Sequence, residues 1–222
     1  MRDDLRRAAF FDFDGTLIPG DSIVSFLLFA RRRGALSFRE WAGTALHAFL
    51  AKIGAEGMDA VKTRALRFEQ KLPPSEREKL CRDFAEEELI PLLFPEGKRT
   101  WDTLKNEDRV MVLVSASTRD YMRYVAAALG ADELICTPVS PTGAVGPNCR
   151  GREKEKRVRE WLESLPKNER PDMAASDAYG DSAGDAFLLR MCGRAHAVNP
   201  RRKLKREAEE RGWEILRWKR SV

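Results

Sequence analysis

Ala8-Ala9-Phe10-Phe11-Asp12-Phe13-Asp14-Gly15-Thr16 is the stretch on which the fold turns. An apolar run ended by carboxylates and a glycine is the pattern of a buried strand that delivers side chains at its C-terminal end. The strand is expected over Ala8–Phe13. Two carboxylates at i and i+2 can converge on one ligand there, because the alternation of the strand breaks at the glycine turn. A lone D-x-D on a turn is mostly solvated, so the rest of the chain decides what this one means.

Working outward, Asp21-Ser22 supplies an N-cap and Ile23–Arg33 is apolar at helical spacing, stopped by Gly34. Further helical patterns cover Phe38–Ile53, Met58–Gln70 and Glu76–Ile90, followed by Glu96–Lys105. A strand at Arg109–Val114 opens an alternation: helix Arg119–Leu129, strand Glu133–Pro138, a turn or small hairpin over Val139–Pro147, helix Arg152–Leu165 and strand Asp172–Ser176. Helix Ala183–Met191, strand Ala195–Val198, helix Arg201–Arg211 and strand Trp213–Leu216 complete it. Alternating strands and helices define an α/β fold, a Rossmann-like three-layer core with a central parallel sheet. The all-helical block falls inside the alternation, so residues 21–91 are expected to form an inserted cap on a core of 1–20 and 92–222.

Composition sets the class. The 222 residues are 43% hydrophobic and 34% charged, which describes a globular protein and excludes a disordered one. The net charge of +5 mildly favours anionic partners. Arg6–Phe11 resembles a signal start, but Asp12 and Asp14 interrupt it, and no apolar run is long enough to span a bilayer. A cytoplasmic protein is expected. The four cysteines lack C-x-x-C spacing and read as free thiols. His47 and His196, the only histidines, are far apart and read as structural. The basic runs Arg31-Arg32-Arg33 and Arg201-Arg202-Lys203 read as solvated helix ends.

Three further segments carry chemistry. Val112-Leu113-Val114-Ser115-Ala116-Ser117 is an apolar strand ending in hydroxyls before a helix. Ser115 and the following N–H groups can hold an anion there, or Ser115 and Ser117 can cap the helix, the reading favoured for Ser117. Lys154, in Gly151-Arg152-Glu153-Lys154, stands in a first helical turn, which is unfavourable unless an anion is near. Gly180-Asp181-Ser182-Ala183-Gly184-Asp185 places carboxylates again between a strand and a helix, where they can ligate a hard cation or cap.

In this order, the four segments resemble the motif set of the haloacid dehalogenase superfamily. They are closest to its phosphoserine-phosphatase-like branch, subfamily IB, with a helical cap between the first and second motifs. The tail, Ala197-Val198-Asn199-Pro200 and Arg211–Leu216, is also similar to that branch. The resemblance implies a phosphatase that needs Mg²⁺ and acts on a small phosphorylated metabolite through an aspartyl-phosphate. It makes Asp12 the nucleophile and Asp14 the general acid/base. Asp12, Asp14 (through its carbonyl) and Asp181 are implied as metal ligands, Ser115 and Lys154 as phosphate-binding residues, and Thr16 and Asp185 as supporting ones. Lys156 remains an alternative to Lys154.

Two departures stand out. Asp21 occupies the region where phosphoserine phosphatases carry a glutamate; it can contact a cationic substrate group or simply cap the first helix. Gly184 stands where the branch often has a side-chain donor. Phosphoryl transfer to an acceptor other than water is the competing reaction on the same core. Docking of anionic membrane or nucleic acid by the basic tail is the non-catalytic reading; glutamates interleaved there argue against it, and no nucleic acid partner is expected.

Overall fold

β1 (Ala8–Phe11) is buried along its whole length, and its side chains divide between the two faces of a sheet. Ala9 and Phe11 enter one apolar cluster, Ala8 and Phe10 the other. Successive side chains of a strand point to opposite faces, so a run apolar at every position needs a sheet covered on both sides. β2 (Val110–Thr118) divides in the same way, Met111 and Leu113 to the first face and Val110, Val112 and Val114 to the second. The structure, a computed structural model, describes residues 6–43, 58–140 and 145–220.

With β3 (Glu133–Thr137), β4 (Asp177–Gly180), β5 (Arg194–Val198) and β6 (Glu214–Leu216), the strands form a parallel sheet in the order β3-β2-β1-β4-β5-β6. The chain moves outward from β1 to β3 on one side, then returns to lay β4 against the other side of β1. That reversal makes the crevice at the carboxyl ends of β1 and β4 a topological switch point, the usual ligand site of open α/β sheets.

Between β1 and β2 the described elements are helical. They are α1 (Ser22–Arg32), α2 (described over 38–43), α3 (Met58–Ala65), a 3₁₀ turn at Arg67–Lys71, α4 (Pro74–Phe84), a π-helical turn at Ala85–Leu89 and α5 (Pro95–Asn106). Asp21 caps α1 by accepting the Ile23 N–H at 3.0 Å. α6 (Arg119–Leu129) ends at Gly130, whose φ of 60° is the left-handed cap conformation. α5 and α6 cover the first face through Trp101, Tyr121 and Met122. α7 (Arg152–Ser164), α8 (Ala186–Leu189) and α9 (Arg202–Arg211) cover the second through Val158, Leu188, Leu189 and Leu204. The three-layer α/β architecture read from the sequence is therefore the observed one. Phe26 of α1, Phe84 of α4 and Tyr121 of α6 meet with ring centroids 5.0–5.2 Å apart. The apolar core thus runs without a break from the helical block onto the sheet.

The structure corrects several expected elements. The strand expected at Asp172–Ser176 is a 3₁₀ turn at Met173–Ala175, where the Asp172 carboxylate accepts the Ala174 N–H. That local bond competes with a ladder; the strand is β4, and it starts on Asp177, a residue without strand signal. The helix expected over Ala183–Met191 shrinks to Ala186–Leu189, because the Asp185 carboxylate accepts the N–H and hydroxyl of Ser182 and closes a turn first. β2 runs on through Thr118, so Ser117 does not cap α6; the capping position is Thr118, which makes no side-chain cap bond. Helix Met58–Gln70 breaks into α3 and the 3₁₀ turn. Most of the expected Phe38–Ile53 helix, with His47, lies outside the described residues. His196 lies on β5, stacked on Tyr179 and 2.9 Å from Asp177. The four cysteines are free.

Candidate active site

Asp12 follows β1 directly and stays in register, its N–H donating to Tyr179 O of β4 at 3.0 Å. Its side chain is buried, and both oxygens are engaged: Oδ1 accepts from Lys154 Nζ at 2.5 Å and Oδ2 from the Thr16 hydroxyl at 2.9 Å. Gly15 turns the chain back with φ of 85°. A Cβ at Gly15 would lie 2.5 Å from an Asp181 carboxylate oxygen, so the turn needs glycine both for its dihedral and for the approach of that carboxylate. Asp14 points into the start of α1, where the Ser22 N–H and hydroxyl donate to it at 2.8 and 3.1 Å. The Ser117 hydroxyl donates to it as well, at 2.5 Å.

Asp181 leaves the end of β4 and Asp185 follows one turn later. One carboxylate oxygen from each of Asp12, Asp181 and Asp185 lies within 4.8 Å of the others, and all three residues are buried. Lys154 reaches in from the first turn of α7 and donates to Asp185 at 2.6 Å as well as to Asp12. Arg201, half out in solvent, donates to Asp181 through Nε at 2.9 Å.

Three carboxylates against one buried ammonium leave the cluster short of positive charge. Burial first, then the charge of Asp185, pushes the Asp12 carboxyl up to about 8, against the pull of Lys154. Burial and Asp185 also raise Asp181 to about 6. Burial works against ionised Asp185 too, but Lys154 and Ser182 outweigh it and hold that carboxyl below its ordinary range. Burial alone would discharge Lys154; Asp12 and Asp185 outweigh it and keep the ammonium charged. Burial, then Asp21, raises Asp14 despite its hydroxyl donors. A set of hard, buried, like-charged oxygens of this kind fits a divalent cation, which removes the repulsion that shifts them.

The sequence-selected residues Asp12, Asp14, Lys154, Asp181 and Asp185 therefore surround one cleft, with Asp21 at its exposed edge. Thr16 lies beneath, on Asp12. Ser115 is fully buried at the end of β2, where its hydroxyl accepts the Ser117 N–H at 3.0 Å; the neighbouring Ala116 and Ser117 face the cleft. Lys156 lies outside it, exposed and 3.8 Å from Glu160. Sequence reading missed Lys62, Asn148, Arg150 and Arg201, which also line the cleft. Lys62, on α3, donates to Ala116 O and Asn148 Oδ1, both at 2.8 Å. Arg201, Arg202 and Lys203 are exposed, as expected of a solvated helix end, although Arg201 also pairs with Asp181 at the rim of the cleft; Arg32 and Arg33 form surface pairs with Glu88 and Glu87. Lys62, Asn148 and Arg150 carried no signal of their own, and Arg201 was noticed only as part of a basic run.

The model of the haloacid dehalogenase-like hydrolases matches residues 9–190, the span from β1 to the end of α8. The chain belongs to that family, and is an enzyme of its phosphatase-like kind. It is 31% identical to an "Inhibition of morphological differentiation protein" of Streptomyces azureus over 98% of this chain and 80% of that one. It is 29% identical to a probable phosphatase of Mycobacterium tuberculosis over 98% of this chain and 77% of that one. A phosphoserine phosphatase solved as a phospho-aspartyl intermediate analogue shares the fold, with a TM-score of 0.64 at 21% identity over 98% of this chain and 95% of that one. Among the described residues no helix is long and apolar enough to cross a membrane.

Proposed function

We propose that this chain hydrolyses the phosphate monoester of a small metabolite, with Asp12 as nucleophile and Asp14 as general acid and base. The observation that carries the reading is the buried cluster of Asp12, Asp181 and Asp185 around one ammonium, opening to a cleft at the switch point. Asp12, Asp181 and the Asp14 carbonyl would hold Mg²⁺, which when bound offsets the repulsion between the attacking carboxylate and the phosphoryl group. Asp185 supports that set by anchoring Lys154.

The residues divide the work. Lys154 and the Thr16 hydroxyl fix the two oxygens of Asp12, so the carboxylate meets phosphorus without first reorganising. Attack gives an aspartyl-phosphate and expels an alkoxide. Asp14, whose carboxyl is raised by burial, gives that alkoxide its proton and then takes one from the water that attacks the intermediate. Lys154 and the end of β2 at Ser115 steady the phosphoryl oxygens. Residues 21–91 act as the cap on a core of 1–20 and 92–222. Asp21 and Lys62 support this division, since both come from that block and line the same cleft as Asp12. Free thiols suit a cytoplasmic setting.

The test is phosphate release with Mg²⁺ across phosphoserine, phosphocholine, phosphoethanolamine, histidinol phosphate and the glycerol phosphates. Turnover of one or more that stops on chelation supports the reading. Folded, Mg²⁺-loaded protein inert toward all of them rejects it.

A further inference from the structure

Lys62, Arg150, Lys154 and Arg201 put four cationic side chains on the wall of the cleft. Three are committed to the protein itself. Lys154 is bound to Asp12 and Asp185, Arg201 to Asp181, and Lys62 to Ala116 O and Asn148 Oδ1. Arg150 differs: among the described residues its guanidinium has no ion pair, hydrogen bond or ring contact. An unengaged guanidinium in a substrate cleft is a donor set awaiting an anion.

Its position is built by the fold. Arg150 N–H donates to Asn148 O at 2.7 Å and Gly151 N–H to Gly184 O at 3.0 Å, which ties this turn to the loop bearing Asp181 and Asp185. Gly184 then makes the room. Its backbone is not in the left-handed region, so its dihedrals do not require glycine. The space favours it: a Cβ there would lie 2.9 Å from Arg150 Nε and 3.0 Å from its Cγ, so the arginine side chain would have to shift. The space a side chain at 184 would take is occupied by Cγ and Nε of Arg150.

Depth assigns the target. Asp12 and Lys154 are 5% and 1% exposed, whereas Arg150 belongs to the exposed edge. On the phosphatase reading, a phosphoryl group held against Asp12 would lie at the bottom and its leaving group would extend toward the exposed edge to which Arg150 belongs. We infer that Arg150 is a specificity-determining residue that binds a second anionic group, a carboxylate or phosphate, on the leaving-group part of the substrate. The inference rests on the phosphatase reading for the direction in which substrate lies.

Two esters of matched size test it: 3-phosphoglycerate, which carries a carboxylate, and glycerol 3-phosphate, which has a hydroxyl there. Binding of each is measured by calorimetry with Mg²⁺ in Asp12→Asn protein, so that turnover is not needed. The expected result is tighter binding of 3-phosphoglycerate, with the ratio of the two affinities falling about tenfold when Arg150→Ala is added, the loss of one charge-assisted contact. Arg150→Lys keeps part of the ratio, and Gly184→Ala, which crowds the guanidinium without removing it, lowers it. Equal affinities in the parent, or a ratio unmoved by Arg150→Ala, overturns the inference. A merely structural role moves both affinities together and leaves the ratio, so it counts against the inference as well. Absent turnover of the whole ester panel and of 3-phosphoglycerate by the Asp12 enzyme, with the binding ratio intact, rejects hydrolysis while sustaining the role of Arg150.

Discussion

β4 has a buried aspartate at each end, and the fold treats the two in opposite ways. Asp177, which starts the strand, is ringed by partners: the guanidinium groups of Arg109 at 2.5 Å and Arg194 at 3.0 Å, and the ring Nε2 of His196 at 2.9 Å. Burial pushes its carboxyl up, but the hydrogen bond from His196 and the charges of Arg109 and Arg194 outweigh that and hold it below 3.8. Asp181, just past the other end, faces Asp12 and Asp185 and is pushed up to about 6. Its own cation, Arg201, is 66% exposed and compensates weakly. A buried carboxylate that holds a fold together comes with its counter-charges. A cluster of them short of counter-charge stores instability, which on the proposed reading a cation and a phosphoryl group would relieve.

The widest separation between the two ends is in turnover. Asp12→Asn lowers kcat at least about 10³-fold without unfolding the protein, measured as phosphate release beside circular dichroism. Asp177→Asn does the reverse. It leaves the two arginines facing a neutral amide, costs about 3 kcal/mol in urea unfolding, and keeps activity per folded molecule. If the two variants exchange these outcomes, the contrast collapses.

Metal tests the same contrast from the other side. On the proposed reading, Mg²⁺ at about a hundred times its dissociation constant is expected to stabilise the parent by about 2.7 kcal/mol, with Asp181→Asn losing most of that gain and Asp177→Asn keeping it. Thermal unfolding with and without chelator reads it directly.

The pH dependence of stability separates paired from unpaired carboxyls, with the smallest effect. The contribution of Asp177 is present above its ordinary value of 3.8 and disappears as pH falls through the depressed native value, so Asp177→Asn flattens the acid limb. Glu69, in the 3₁₀ turn, has one carboxylate oxygen without a hydrogen-bond partner, and burial, then Asp120, raises it to about 8. A raised carboxyl stabilises below 4.5 and loses that contribution as pH rises toward 8. Glu69→Gln should therefore flatten the fall between pH 4.5 and 8 and gain about 1 kcal/mol at pH 9 in urea unfolding.

The end of β4 that was legible is the one that breaks local rules. Apolar runs punctuated by carboxylates and glycines marked Asp12, Asp14, Asp181 and Asp185, because burying such residues beside strands has no local justification. Asp177 and Arg109 escaped notice, since each sits at a strand end where a polar residue is ordinary and their pairing spans 68 positions. β4 was misplaced for the same reason: Asp172 to Ser176 looks as apolar as a short strand, and only the Asp172 to Ala174 bond withdraws it from the ladder. Lys62 lies on a segment read as helical and Arg150 on a turn, but neither pattern says which residues of another segment they meet, so nothing pointed them at the cleft.

The sequence by itself determined the α/β architecture, the all-helical block after the first strand and the order of the carboxylate motifs, because periodicity and glycine punctuation are local properties. Tertiary structure alone decided which charges meet. Parallel pairing of β1 with β2 and β4 brings Asp12, Ser117 and Asp181 to one edge from segments far apart in the chain. The turn tying Gly151 to Gly184 then puts Lys154 rather than Lys156 on the floor and Arg150 on the exposed wall. Charge pairing is a property of distance in space, and at these separations along the chain no spacing rule encodes it.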